Sequence, residues 1–365
     1  MAIRKSGMEN MVNDKLNIYK NKKVFVTGHT GFKGSWLVLT LQQLGCEVYG
    51  YSLLPDSEPS HFELLKLDLH STFADIRDYA ILKNSIKESQ AEIVFHLAAQ
   101  ALVRPSYSNP VYTYDVNVMG SLNILEVSRS CEHVKAIVMI TTDKVYENLE
   151  INYAYKESDR LGGYDMYSSS KACCELMINS YRNSFRNLDE YNINHTQLIT
   201  SVRAGNVIGG GDWSMDRLIP DIMRSTNENI SVQIRNPRSI RPWQHVLDCI
   251  SSYLLLGAEL LIEKKEFAQA WNVSPDKNDA FSVLQVLECC QKSWKEIKFK
   301  IIENKTNVHE ANILTLDNTK IKEKLNWSPK YDTEIAIQKT VEWYKSYYLN
   351  KQLITLSQVN EYLNK

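Results

Sequence analysis

The segment that most constrains this chain is Thr27-Gly28-His29-Thr30-Gly31-Phe32-Lys33-Gly34-Ser35-Trp36. It follows a short β-rich apolar run at 24–26 and opens an apolar helical pattern at 35–44. Glycine at every third position between a strand and a helix keeps the turn tight, lets the backbone approach a pyrophosphate closely and lets the helix pack on the strand. The helix N-terminus then offers free N–H groups and the positive end of its dipole to phosphates. Because strand and helix flank the glycines in the right order, dinucleotide binding outweighs a purely structural turn.

The rest of the chain is read from this start. Further β-rich runs at 47–52, 93–97 and 136–140 alternate with helical patterns at 79–89 and 116–130. That order predicts an α/β fold with a doubly wound parallel sheet. Past residue 207 the regularity breaks: Gly209, Gly210 and Gly211 are consecutive, and 227–243 is polar and rich in arginine and proline. A smaller mixed α/β C-terminal lobe is expected there, with helical patterns returning at 282–294 and 334–347. The expected division is a loosely held N-terminal extension (1–20), a dinucleotide-binding domain (21–206, with returning segments from the C-terminal half), a mainly substrate-binding lobe (207–350) and a tail (351–365).

Composition narrows the class. Lys plus Arg number 42 against 43 Asp plus Glu, a net charge of −1, so no basic nucleic-acid footprint is expected. The most apolar stretch, 253–262, is interrupted by Gly257 and Glu259 and is far shorter than a membrane span; it reads as a buried helix. The first twenty residues carry charges and no apolar core of a secretory signal, so a cytoplasmic location is expected. Seven cysteines, an odd number without C-x-x-C spacing, read as free buried thiols, with neither a metal site nor a disulfide framework.

The chemistry concentrates in two places. Tyr167 and Lys171 stand four residues apart at the start of a helical pattern, so phenol and ammonium share one face. A tyrosine accepts a proton near neutrality only when a cation favours its phenolate, which is what hydride removal from an alcohol requires. Upstream, Thr141-Thr142-Asp143-Lys144 ends an apolar run, where open parallel sheets place their sites. At the cofactor end, no acid closes the second run: Tyr51 and Ser52 stand there, and Asp56 lies past Pro55. NAD is expected and NADP left open, with Lys33 a candidate for a 2′-phosphate. Asp75 and Ile76 are placed to contact an adenine, and Leu97-Ala98-Ala99 ends a strand in small residues that let a cofactor lie close.

With these residues in view, the chain resembles the extended short-chain dehydrogenase/reductase family, whose members act on nucleotide sugars. The resemblance rests on Gly28, Gly31 and Gly34, on Leu97-Ala98-Ala99, on Asn117-Val118 with Gly120, and on Thr142 and Tyr167 with Lys171. It continues through Arg241-Pro242-Trp243-Gln244-His245-Val246 and ends at Leu316-Asp317, Lys320 and Leu325-Asn326-Trp327. It implies a Rossmann-like domain, a small C-terminal substrate lobe, a bound nicotinamide and a homodimer built from two long helices per subunit. Epimerases of the family generally carry small or neutral residues after the position of Thr142, whereas Asp143-Lys144 looks like the 4,6-dehydratases, and the lysine like the branch whose substrate is CDP-glucose. Met166, where that branch usually has proline, is a departure.

The same resemblance implies the roles. Thr142, Asp143, Lys144, Tyr167 and Lys171 form the catalytic set, with Asp143 as acid toward the C6 oxygen and Lys144 as C5 base; Glu147 is a second proton-transfer candidate. Gly28, His29, Gly31, Phe32, Lys33, Gly34, Ser52, Asp75, Ile76, Leu97, Ala98 and Ala99 would surround the cofactor. For the diphosphate, Arg241 is the first choice and Asn206, Arg217 and Arg235 follow. Trp213 and Trp243 would stack on a base or fill the lobe. The product would be a deoxysugar precursor of a surface polysaccharide. A 4-epimerase, a dehydratase of another nucleotide hexose and a non-catalytic NAD(P) sensor share parts of this pattern.

Overall fold

The computed structural model describes residues 14–276, 279–302 and 313–364. Seven parallel strands make the central sheet: β1 (Lys23–Thr27), β2 (Glu47–Ser52), β3 (His70–Phe73), β4 (Ile93–His96), β5 (Ala136–Ile140), β6 (Leu198–Ala204) and β7 (Ala270–Val273). Their order across the sheet is β7-β6-β5-β4-β1-β2-β3. The strand order reverses at β1 and β4, which opens a crevice beyond their C-terminal ends.

Because side chains alternate along a strand, both faces of the sheet are apolar. Val24 and Val26 of β1 face α1 (Phe32–Gln43), while Phe25 between them faces α2 (Tyr79–Ser89), α3 (Gly120–Arg129) and α4 (Met166–Phe185). The smaller lobe follows β6 and contains α5 (Leu218–Asn227) and short strand pairs such as Val232–Ile234 with Phe299–Ile301. Between its segments α6 (Val246–Leu261) returns to cover β5 and β6, apolar almost all round as a doubly packed helix must be. Then come α7 (Val283–Ser293), α8 (Thr333–Asn350) and α9 (Thr355–Leu363). Among the described residues no helix is long and apolar enough to cross a membrane. All seven thiols are free, five of them buried.

The described residues nearest both ends, from 14 and up to 364, are held more firmly than the sequence suggests. In the expected loose extension, Leu16 and Tyr19 are buried, the Tyr19 hydroxyl donates to the Leu254 carbonyl (2.8 Å), and Lys15 pairs with buried Glu259 (2.5 Å). Residues 1–13 lie outside the described set. In the expected tail, α9 docks on α1, with Val359 and Leu363 buried. The Thr355 hydroxyl accepts from the Trp343 indole (2.8 Å) and lies 3.0 Å from His61 Nε2.

Candidate active site

The glycine loop forms as its sequence requires. Gly28 has φ +72°, and a Cβ on it would sit 2.8 Å from the Ala98 nitrogen, so the end of β4 presses directly on the loop. The Thr27 hydroxyl receives the N–H groups of Leu97 and Ala98 at 3.2 Å each, fixing that approach. A Cβ on Gly34 would lie 2.0 Å from the Gly28 carbonyl, so only glycine lets α1 start this close to β1. At Gly31 the only near atom is the Gly28 oxygen at 3.4 Å, and no side chain caps the first turn of α1. The loop is therefore closed behind by Gly34 and Ala98 and open in front, a concavity lined by N–H groups that fits a dinucleotide pyrophosphate.

The other expected cofactor residues divide. Ser52 meets the Thr30 hydroxyl (2.8 Å) at the mouth of this concavity. Ile76 is buried against Gly120, and the Asp75 carboxylate is clamped by the Arg77 guanidinium (2.9 and 2.7 Å), which holds it below the usual carboxylate range. His29 turns inward under β2: its ring fills the space a Cβ on Gly50 would need, packs on Phe62 and Phe73, and is kept neutral by burial, its pKa lowered to about 4. Lys33 does not lie toward the ribose end marked by Ser52. From the first turn of α1 its ammonium points to the Tyr253 hydroxyl of α6 (3.4 Å). Burial lowers its pKa there, with Cys249, Lys171, Arg217 and Asp143 acting on it.

The catalytic helix is placed by its cap. Asp165 accepts from the Ser168 backbone N–H (2.9 Å) and hydroxyl (2.6 Å), starting α4 one residue before Tyr167. From below, the Ser106 hydroxyl accepts the Tyr167 N–H at 3.1 Å. Asn117 ties the helix to the cofactor strand: it accepts from the Gln100 N–H (2.8 Å) and donates to the Gln100 carbonyl (3.0 Å) and the Ser170 hydroxyl (2.9 Å). It does so from a wide π-turn, Asp115–Met119, leading into α3.

Tyr167 and Lys171 are both buried, and the Lys171 ammonium is 3.4 Å from the Ile140 carbonyl at the end of β5. Burial pushes the Tyr167 phenol up to about 12, while a hydrogen bond to Thr142 and the Arg217 charge pull it down. Arg217 thus acts on the phenol as well as facing the substrate cavity. Thr142 donates to Asp143 Oδ1 (3.0 Å), Asp143 Oδ2 is buried with no hydrogen-bond partner among the described residues, and the Lys144 ammonium lies 3.9 Å from Asp143 Oδ1. Glu147 pairs with Arg160 at the rim (3.2 Å), both well exposed.

Thr142, Asp143, Lys144, Glu147 and Tyr167 share one cavity of about 1010 Å³, with Lys171 buried behind Tyr167 rather than lining it. All four expected substrate residues line it: Asn206, Arg217, Arg235 and Arg241. Arg217 is held by Asp212 (2.8 Å), and Arg241 donates to its neighbouring Ile240 carbonyl (2.8 Å). Trp243 lines the wall with its indole bonded to the Phe281 carbonyl (3.0 Å). Trp213 instead fills the lobe core against Trp343, Tyr344 and Tyr347. Arg104 was not anticipated: it reaches across the mouth to Asp216 (2.7 Å), which also faces Arg235 (3.7 Å). Its one sequence signal is its place in the segment beyond β4, at the ligand-binding edge of the sheet.

The site can therefore hold a nicotinamide dinucleotide on one side and a diphosphate-linked sugar on the other, with proton-transfer groups between. Comparison with known proteins agrees. The family model for GDP-mannose 4,6 dehydratase matches residues 25–340. The chain is 44% identical to CDP-glucose 4,6-dehydratase of Salmonella typhimurium over 352 residues, 95% of this chain and 98% of that one. It is 24% identical to CDP-paratose 2-epimerase of Salmonella typhi, covering 89% and 99%. Among solved structures, an epimerase from Methanothermobacter thermautotrophicus superposes with a TM-score of 0.79 (21% identity, 93% and 97% covered). dTDP-glucose 4,6-dehydratase from Bacillus anthracis, in complex with NAD, superposes with 0.73 (21%, 89% and 97%). On sequence, fold and site together, this chain is a member of the GDP-mannose 4,6-dehydratase family.

Proposed function

We propose that this chain is a cytoplasmic, homodimeric lyase that converts CDP-D-glucose to CDP-4-dehydro-6-deoxy-D-glucose and water with NAD bound in the glycine-loop concavity. The observation that carries the reading is the Thr142-Asp143-Lys144 turn, whose partnerless Asp143 oxygen and neighbouring ammonium share a cavity with Tyr167. The relative at 44% identity supplies the base and the sugar. The loop from Gly28 to Gly34 with Ala98 behind it would hold the pyrophosphate, and Ser52 lies at the ribose end.

Bound against the glycine loop, NAD would supply reversible hydride chemistry for C4 and C6 with no net redox change. Tyr167 takes the O4 proton as the C4 ketone forms, with the Thr142 hydroxyl bonded to the same oxygen. The ketone acidifies the C5 proton. Asp143 and Lys144 stand side by side, with the ammonium nitrogen 3.9 Å from Asp143 Oδ1. Lys144 removes the C5 proton while Asp143 protonates the departing C6 hydroxyl, which leaves as water. The same lysine returns a proton to C5 when C6 is reduced. Arg217, Arg235 and Arg241 face the diphosphate, and their planar donors suit its oxygens.

The dimer would cover exposed Val111, Met119, Leu176 and Phe185, which lie on the packed helical segments 110–129 and 166–185. Light scattering on the purified protein tests this, a monomer refuting it. The activity is tested by incubating the protein with CDP-glucose, UDP-glucose, dTDP-glucose and GDP-mannose separately, with NAD, and weighing the products. Loss of one water from CDP-glucose is expected. Unchanged masses throughout would refute the dehydratase and point to epimerisation, which NMR of the recovered sugars detects.

A further inference from the structure

We infer that Glu175 is a positioning residue of this reaction: its buried carboxylate locks the helix of Tyr167 and Lys171 to the turn bearing Thr142, Asp143 and Lys144, and sets a fixed negative charge one helical turn from Lys171. The inference rests on the activity proposed above.

Glu175 is 1% exposed, does not line the cavity and has no part in the proton transfers. It lies four residues beyond Lys171 and eight beyond Tyr167, on the same face of α4. A carboxylate buried this deeply is costly unless charged and hydrogen-bonding partners surround it. Here the Thr141 hydroxyl donates to Oε1 (2.6 Å), and the Ser201 hydroxyl (3.0 Å) and Arg203 guanidinium (2.8 Å) donate to Oε2.

The other arm of Arg203 donates to the Tyr146 hydroxyl (2.8 Å) and the Glu157 carbonyl (3.1 Å), and Tyr146 donates to Asn272 of β7 (2.7 Å). Thr141 immediately precedes the catalytic turn and Tyr146 stands two residues past Lys144. The carboxylate therefore grips that turn from both sides, once directly and once through Arg203. Through its own backbone it fixes the height of Tyr167 relative to Thr142, a placement on which rate depends steeply.

The charge acts as well. Burial lowers the pKa of Lys171, and Cys174 and Glu175 pull it back up. Glu175 itself is pushed up by burial, but Arg203, Thr141 and Arg182 leave it below the ordinary range, so it stays ionised. The titratable groups around Tyr167 and Lys171 come from each neighbouring element: Cys174, Glu175, Arg182 and Asp165 on or beside α4, Arg203 on β6, His96 on β4, Asp143 after β5, Lys33 on α1, Arg217 before α5 and Tyr253 on α6. With Glu175 neutralised, cations dominate this set and Lys171 loses its proton at lower pH. The phenolate of Tyr167 then has less support.

The test uses three variants of the full-length NAD-bound protein, each assayed for kcat, KM and their pH profiles on the nucleotide sugar the unmodified chain dehydrates. Glu175→Gln should lower kcat with little change in KM and move the alkaline limb of the kcat profile down by about one pH unit, because loss of the nearby negative charge lets Lys171 give up its proton earlier. Glu175→Asp keeps the charge on a shorter arm and should leave that limb in place. Thr141→Val removes the direct bond, together with the longer contact to the Val202 carbonyl (3.3 Å), and should cost about tenfold in kcat with an unshifted limb. A Glu175→Gln protein that unfolds more easily but keeps the parent's kcat and limb would reduce Glu175 to a structural role. Should that variant not fold, Thr141→Val and Glu175→Asp at full kcat would overturn the inference. Failure of the proposed activity is separate, since it appears as an inactive parent.

Discussion

Asp248 offers a quantitative test of how the C-terminal helix is held. It sits in the first turn of α6, fully buried, and its Oδ1 accepts the Lys330 backbone N–H (2.6 Å) and the hydroxyl of Tyr362 in α9 (2.8 Å). Oδ2 is buried without a hydrogen-bond partner among the described residues. Burial raises this carboxyl from 3.8 to about 7, against the pull of those donors. The folded state thus favours the protonated form. Below the unfolded value of 3.8 the group is neutral in both states and costs nothing. Between there and about 7 the folded protein loses roughly 1.4 kcal/mol per pH unit, about 4 kcal/mol in all, and above that the loss is constant.

Asparagine in its place keeps the Oδ1 acceptor and cannot ionise; its amide N–H₂, pointing where Oδ2 was, carries a pH-independent cost of about 1–3 kcal/mol. Urea unfolding of the parent and Asp248→Asn from about pH 4.5 to about pH 8.5 should therefore show the variant gaining on the parent by roughly 3–4 kcal/mol with rising pH, most of it before about pH 7. A stability difference that stays flat over this range would refute the reasoning, because Asp248 would then be ionised in the folded protein throughout.

Tyr167→Phe removes the proton acceptor at O4, so kcat should fall by about 10²–10⁴ while titration calorimetry finds NAD affinity unchanged; a fully active variant would remove Tyr167 from the chemistry. Lys144→Met keeps length and loses the amine, so turnover should stop after C4 oxidation, with reduced cofactor accumulating in its near-ultraviolet absorbance. Normal turnover would instead turn attention to Glu147. Gly34→Ala places a methyl 2.0 Å from the Gly28 oxygen and must push α1 off the loop. NAD affinity should drop by about tenfold or more, about 1.4 kcal/mol, and an unaltered affinity would mean the loop is not the phosphate site.

Much of this was legible in the sequence because it depends on neighbours in the chain. The runs at 47–52 and 79–89 coincide with β2 and α2, since period and breakers lie within each segment. The glycine loop was legible for the same reason. What escaped depends on partners far away. Lys33 has the spacing of a phosphate ligand, but its direction is set by Tyr253 on α6, more than two hundred residues on. Asp75 has the position of an adenine contact, and the sequence does not reveal that Arg77 engages its carboxylate. For Trp213 the sequence leaves stacking on a base and filling the lobe both open, and only the distant Trp343 and Tyr344 of α8, which surround it, decide for the second. Residues 14–20 and 355–363 read as loose ends, because nothing local reveals that α6 and α1 present apolar surfaces to receive them.

The π-turn at Asp115–Met119 has a consequence for how this chain tolerates change in length. A wide turn carries one residue more than the same arc of α-helix, and each helical residue turns the chain by about 100°. Deleting one residue there would restore regular α-helix over the same arc, so the segments on either side would keep their phase and only the side chains inside the turn would be re-aimed. Asn117 would swing away from Gln100 and Ser170 while Ile124 and Leu125 stayed buried. The turn therefore stores one residue of length at no cost in phase but at the cost of the Asn117 contacts, whereas elsewhere in this helix insertions or deletions are tolerable only in whole turns, three or four residues at a time.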